Sequence, residues 1–240
     1  MDEKIKKLRE ILNESKKIVF FGGAGVSTES GIPDFRSASG VFSMDYKYPP
    51  EMILSHTFFE THTKEFYKFY RDVMLYPDAE PNDAHKALAE LERQGKLLAV
   101  ITQNIDGLHQ KAGSRTVYEL HGSVHRNYCT NCGKTYGLTF IIDNVPLPVC
   151  SCGGLIKPDV VLYEESLDPR TIDNSIIAIN SADTLIIGGT SLNVYPAAGL
   201  IDYFRGKNLV LLNKSETQSD AIATLCIHDS IGKVLKEAMA

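Results

Sequence analysis

Four short apolar runs constrain this 240-residue chain more than any other feature. Residues 16–21, 97–102, 184–187 and 208–212 are rich in Val, Ile, Leu and Phe, are bounded by Gly, Asn or Ser, and mostly lack polar alternation. A strand with one wet face alternates, whereas a strand covered on both faces does not. Helical patterns such as 2–15 and 84–92 flank or separate the runs. The chain is therefore expected to be an α/β protein, a parallel sheet with helices on both sides.

Two segments interrupt the alternation. Residues 38–83 read as helical and aromatic (Phe58, Phe59, Phe66, Tyr67, Phe69, Tyr70) and are framed by Pro49, Pro50, Pro77 and Pro81. Residues 128–158 are rich in Cys, Gly and Pro with little apolar periodicity. Both read as insertions on the main layers, and a cleft is expected where they join. A hydrophobic content of 43 % excludes a disordered or fibrous chain. Twenty-five Lys and Arg against 30 Asp and Glu give a net charge of −5, so no direct nucleic-acid partner is expected. No apolar stretch approaches a signal-peptide core or a membrane span, so the expected compartment is cytoplasmic, with no membrane partner.

In a reducing compartment, cysteines are read as metal ligands, thiols or core. Cys129 and Cys132 form a C-x2-C pair; after 17 residues Cys150 and Cys152 form a C-x-C pair followed by two glycines. Four sulfurs in two close pairs across such a loop suit a closed tetrahedral zinc site. With every position taken by sulfur, that zinc holds structure. Cys226, alone in an apolar run, reads as core.

Gly22-Gly23-Ala24-Gly25-Val26-Ser27 follows the first apolar run and is read as opening a helix. Taken alone, it is either a cradle for a pyrophosphate or a plain tight turn, because the usual third glycine is replaced by Thr28. Thr102-Gln103-Asn104-Ile105-Asp106 ends another run, and His121-Gly122 follows the run 117–120. Ends of parallel strands are where open α/β sheets put ligand chemistry.

Together with Gly31-Ile32-Pro33-Asp34-Phe35-Arg36-Ser37, Gly189-Thr190-Ser191-Leu192 and Asn213, these motifs occur in the order of the sirtuin family. The chain resembles that family, the NAD-dependent protein lysine deacylases, over essentially its whole length. The resemblance implies a Rossmann-like large domain (1–37, 84–127, 159–240) and a smaller one made of a helical module (38–83) and a zinc module (128–158). NAD, the co-substrate, would lie between them. Ala24, Thr28, Gln103, Thr190, Ser191 and Asn213 match NAD-holding positions, with Asp229 at the adenine end. Phe35 and Arg36 match a loop that closes over NAD, while Ile105 and Asp106, with Asp34, match the nicotinamide pocket. The resemblance makes His121 the general base, gives Asn104 neutral hydrogen bonds to ribose or water, and gives Val161 the carbonyl that receives the acyl-lysine amide. The implied reaction releases nicotinamide as the acyl oxygen attacks the ribose, forming an alkylimidate that water resolves to free lysine and O-acyl-ADP-ribose. The implied partners are acetylated lysines in proteins or peptides.

The sequence departs from the family at Tyr163-Glu164-Glu165, where Phe-Gly-Glu is usual; Glu164 adds bulk and negative charge near the peptide. Members that prefer succinyl or malonyl groups carry Tyr-x-x-Arg in the helical module. Here Tyr67 is followed by Tyr70, with Arg71 one position further, about 100° around a helix, and no Gly or Pro is nearby to kink it. Acetyl is therefore the expected acyl group. The alternatives are an ADP-ribosyltransferase or NAD hydrolase using the same bond cleavage, and a non-enzymatic nucleotide-holding module.

Overall fold

The computed structural model describes residues 2–38, 40–43 and 45–240, with the backbone alone at Gln218. In chain order its strands are β1 (Ile18–Gly22), β2 (Leu97–Thr102), β3 (Val117–Glu119), β4 (Gly122–Cys129), β5 (Thr135–Tyr136), β6 (Ile156–Val160), β7 (Thr184–Gly188), β8 (Asn208–Leu212) and β9 (Leu225–Ile227). Its α-helices are α1 (Glu3–Glu14), α2 (Pro50–Ile53), α3 (His56–Thr61), α4 (Thr63–Phe69), α5 (Asp83–Arg93), α6 (Leu108–Lys111), α7 (Leu138–Asp143), α8 (Pro169–Ser181) and α9 (Ile231–Met239).

The four apolar runs become β1, β2, β7 and β8, four adjacent strands of a six-stranded parallel sheet ordered β3-β2-β1-β7-β8-β9. Counted within this sheet the order is 3-2-1-4-5-6, the Rossmann order, and the topological switch lies between β1 and β7. β1 shows why its sequence does not alternate. Ile18 and Phe20 pack with α1, α5 and α9 on one face, Val19 and Phe21 pack with α8 on the other, and all four are fully buried. Burying each such side chain contributes about 1.5–3 kcal/mol relative to exposure. Local signals stop the helices from fraying at their starts: Asp2 caps α1, Asn82 and His85 form a reciprocal capping box on α5, and Asp168 caps α8 ahead of Pro169.

β5, β4 and β6 form a separate antiparallel sheet. It shares an apolar cluster with α2–α4, including Phe58, Phe59, Phe66, Tyr67 and Tyr70. The chain crosses from the large sheet to the small one through Leu120 and His121, between β3 and β4. Gly122 makes the crossing possible, because its φ is +76° and a Cβ there would collide with the Asp159 carbonyl. Among the described residues no helix is long and apolar enough to cross a membrane.

Two local expectations are corrected. The glycine turn opens two single 3₁₀ turns, Ala24–Val26 and Thr28–Ser30, instead of an α-helix; Gly31 at φ +84° ends the second, and Pro33 follows. The helix carrying Tyr67 widens into a π turn over Tyr70–Met74 without any Gly or Pro.

Candidate active site

The carboxyl ends of β1, β2, β7 and β8 deliver their loops to one cleft of about 570 Å³, a size usual for ligand sites. Gly23 and Gly25 bring the β1 turn onto the β7 turn: an added Cβ would meet Gly189 O at 2.9 Å or Gly189 Cα at 2.7 Å. The Gly25 amide donates to Gly189 O at 2.8 Å. These glycines therefore set the approach of two backbones at the switch point.

Polar side chains cross-link the loops from below. Gln103 Nε2 donates to Thr190 Oγ1 (3.0 Å), while Asn213 accepts from Thr190 N (3.1 Å) and donates to Thr190 O (3.2 Å). Ala24, Thr28, Phe35, Arg36, Ser191 and Ile105 line the same cleft. Asp34 accepts from the amides of Arg36 and Ser37 (3.0 and 2.7 Å), which shapes the loop that presents Phe35 and Arg36. The cleft is lined both by hydroxyl and amide groups (Thr28, Gln103, Ser191, Asn213) and by the apolar Phe35, Ile105 and Val124, a mixture that suits a dinucleotide.

The centre of the cleft holds a chain of short hydrogen bonds. Ser27 Oγ donates to Asp106 Oδ2 (2.6 Å) and accepts from Asn104 Nδ2 (3.0 Å), and Asp106 Oδ1 accepts from Leu108 N (2.9 Å). Ser27 is buried, and the sequence reading gave it no role of its own. His121 Nδ1 lies 3.0 Å from Gln103 O. A carbonyl can only accept, so Nδ1 carries the proton and Nε2 keeps the lone pair. Burial holds the His121 pKa below the usual histidine range, outweighing the opposing effect of the Gln103 carbonyl. Its imidazole is neutral at pH 7, as a base must be.

Val161 borders the cleft, and its amide donates to His121 O (3.0 Å). Among the described residues, no protein donor reaches its carbonyl. Three residues on, Glu164 has φ +77°, a conformation that favours glycine. Its carboxylate accepts from Thr57 N (2.9 Å) and Thr57 Oγ1 (2.7 Å) at the start of α3. The charge noted in the sequence is thus turned toward the helical module.

Asp229 is not in the cleft. It follows the edge strand β9 and borders a separate depression with Asp2 and Lys4, where it accepts from Lys233 Nζ (2.6 Å) and Ser230 N (2.7 Å). The cleft wall beyond Asn213 is built instead by Lys214–Thr217, which the sequence reading passed over because no motif marks it. Nor do Tyr67, Tyr70 and Arg71 line the cleft. Both tyrosines are buried in the small core, and Arg71 donates to the carbonyls of Ile141 (2.8 Å), Asn144 (2.7 Å) and Pro146 (3.0 Å). The π turn supplies the one-residue change of phase that the sequence did not suggest, yet the guanidinium is spent on α7 and the loop after it.

Away from the cleft, the four sulfurs of Cys129, Cys132, Cys150 and Cys152 lie within 4.8 Å of one another. Cys129 and Cys152 are 3.5 Å apart and Cys132 and Cys150 are 3.7 Å apart. Sulfurs about 2.3 Å from a tetrahedral zinc stand about 3.8 Å apart, so the quartet fits that ion. Donors aimed at the sulfurs suit thiolates: Tyr136 OH reaches Cys150 at 2.9 Å and Asn131 N reaches Cys129 at 3.4 Å. Gly154 packs on the site, since a Cβ there would stand 2.6 Å from Cys129 Sγ.

The profile of the Sir2 family matches residues 23–196, which include the glycine turn, the cysteine quartet and the β7 loop. The chain belongs to the Sir2 family. An NAD-dependent protein deacetylase of Clostridium perfringens is 63 % identical over 239 residues, 98 % of each chain. Its counterpart in Clostridium acetobutylicum is 61 % identical over 98 % of this chain and 97 % of its own. A solved complex of Sir2 with p53 peptide and NAD+ matches with a TM-score of 0.87 at 40 % identity, covering 100 % of this chain and 98 % of the other. Sir2 bound to acetylated peptide matches at 0.86 and 39 %, with the same coverages.

Proposed function

We propose that this chain is an NAD-dependent protein lysine deacetylase that transfers the acetyl group of a modified lysine to ADP-ribose and releases nicotinamide. The observation that carries the reading is the neutral His121, with Nε2 unprotonated, in one cleft with the Ser27–Asp106–Asn104 chain and the open carbonyl of Val161. His121 takes the proton of a ribose hydroxyl, which turns that hydroxyl into a nucleophile. Asp106 holds the nicotinamide carboxamide by accepting its N–H; Ser27 and Leu108 fix the carboxylate for this. Asn104 offers the ribose or a water a neutral partner that does not compete for the proton. Ala24, Thr28, Gln103, Thr190, Ser191 and Asn213 hold the dinucleotide, Phe35 and Arg36 close over it, and Ile105 borders the nicotinamide. Val161 accepts from the acyl-lysine amide.

Zinc on the cysteine quartet holds the module of residues 128–158, which with 38–83 forms the smaller domain. Reduced thiols suit the cytoplasm as the compartment. The cations bordering the cleft among the described residues are Arg36 and Lys214, with the histidines His121 and His125. Tyr67, Tyr70 and Arg71 build no clamp for an acyl carboxylate, and burying that carboxylate unpaired is costly. Acetyl-lysine is therefore the preferred substrate over succinyl-lysine. Replacing Tyr70 by Arg would not complete a clamp either, since it would bury a charge in the small core.

Incubation with NAD and matched acetyl, succinyl and unmodified peptides tests the reading. Nicotinamide should appear in step with deacylated peptide, fastest with acetyl. Equal release without acylated peptide would make the protein an NAD hydrolase instead.

A further inference from the structure

Lys157, on β6, is 7 % exposed, and its ammonium is surrounded by the protein's own acceptors. Nζ lies 3.1 Å from the Glu165 carboxylate, 3.2 Å from Val160 O and 3.3 Å from Pro158 O, so its three protons are accounted for. Glu165 in turn accepts from Leu162 N at 2.9 Å and lies 2.8 Å from His56 Nδ1 at the start of α3. The ion pair thus takes the carbonyl of the residue before Val161 and the amide of the residue after it. Val161 itself donates to His121 O. Every backbone hydrogen-bonding group from Val160 O to Leu162 N is held except one, the Val161 carbonyl.

We infer that Lys157 and Glu165 are positioning residues for the acyl-lysine substrate, fixing the strip 160–162 so that the Val161 carbonyl is aimed and left free; this rests on the proposed role of Val161. A buried ion pair contributes little stability relative to a well-packed apolar pair, so its distinctive effect is on geometry. His56 ties the pair to the helical module, and Thr57 is tied to the same turn by Glu164. The strip 160–162 and the start of α3 are thus joined by hydrogen bonds.

The test compares stability with the Michaelis constants for the two substrates. Lys157→Met alone leaves the half-buried Glu165 carboxylate short of its cation and should destabilise the fold. The apolar double variant Lys157→Met/Glu165→Leu should recover stability without recovering the aim of Val161. In it, KM for an acetyl-lysine peptide should rise about tenfold or more, while KM for NAD stays within about twofold and kcat at saturating peptide within about threefold. Glu165→Gln keeps an acceptor for Leu162 N but leaves the Lys157 ammonium without its counter-ion, so like Lys157→Met alone it should destabilise the fold. A peptide KM at the wild-type value in the folded double variant overturns the inference, as does an equal rise in both KM values. Wild-type protein that releases nicotinamide without acylated peptide would overturn the proposed function instead.

Discussion

The parallel sheet and the small antiparallel sheet support the same cleft by different means. In the parallel sheet the central strands are buried on both faces, with α1, α5 and α9 on one side and α8 on the other. The loops that carry Gln103, Thr190 and Asn213 leave directly from the ends of these buried strands. In the small sheet β5 has two residues and the β4–β6 register is interrupted between Ser123 and Asn127. Its far end closes on four cysteines, of which Cys129 and Cys150 join the apolar cluster while Cys132 and Cys152 are exposed. One cleft thus rests on two-sided strand burial on one side and on a smaller apolar cluster joined to the cysteine quartet on the other.

The largest expected effect separates these supports outright. Chelating zinc, or replacing Cys129 or Cys150 by Ala, should unfold the small sheet and abolish deacetylation while the parallel sheet still melts cooperatively. Metal analysis of the intact protein should find about one zinc per chain. A zinc-free preparation that is folded and fully active would end the contrast.

His121, at the crossing between the sheets, comes next. His121→Ala should slow deacetylation about 10²- to 10⁴-fold and leave NAD affinity and the melting temperature nearly unchanged. Wild-type turnover would remove it as the base, and lost NAD binding would make it a structural residue of the large sheet.

Acid should act on the parallel-sheet side through two buried imidazoles. Burial pushes His85 down to about 4 and His109 to about 3, the second also by its neighbour His85. Both are neutral in the fold and take up protons near pH 6.5 when unfolded. Their contribution is fully present above about pH 6.5 and is lost progressively as pH falls toward 4 and 3. Urea midpoints at pH 7.5 and 5.5 should fall with acid even for protein whose zinc content is unchanged at both. A midpoint constant at unchanged zinc content would contradict the neutral buried pair.

The smallest effect concerns the turn beside the peptide. Glu164→Gly relieves a left-handed residue but loses two exposed hydrogen bonds to Thr57, and these changes oppose each other. The melting temperature should stay within about 3 °C of the wild type. A larger fall would show that this carboxylate is a main tie between the two modules.

Much of this was legible locally. The four strands that end at the cleft are continuous apolar runs, and His121-Gly122 and the cysteine spacings are short-range patterns. What stayed hidden depends on direction. Arg71 was weighed as a clamp on the phase of a regular α-helix, and the π turn over Tyr70–Met74 changed that phase while α7 supplied its acceptors. Asp229 lies 16 residues after Asn213 in the chain, but the edge strand β9 carries it to another depression.

The sequence by itself determined which strands exist, because two-sided burial leaves a signature in every residue of a run, and which cysteines cluster, because a tetrahedral site limits their spacing. Only the tertiary structure decided what each polar group faces. Gly23 and Gly25 are required by the backbone of Gly189, more than 160 residues away, and Ser27 becomes part of the site only when β2 brings Asp106 within 2.6 Å. Nothing in the sequence pairs Lys157 with Glu165; β6 and the turn after it bring them within 3.1 Å, with Lys157 buried. Hydrogen bonds and ion pairs act over about 3 Å between groups distant in sequence, so their partners are set by packing, which the hydrophobic pattern specifies only as a whole.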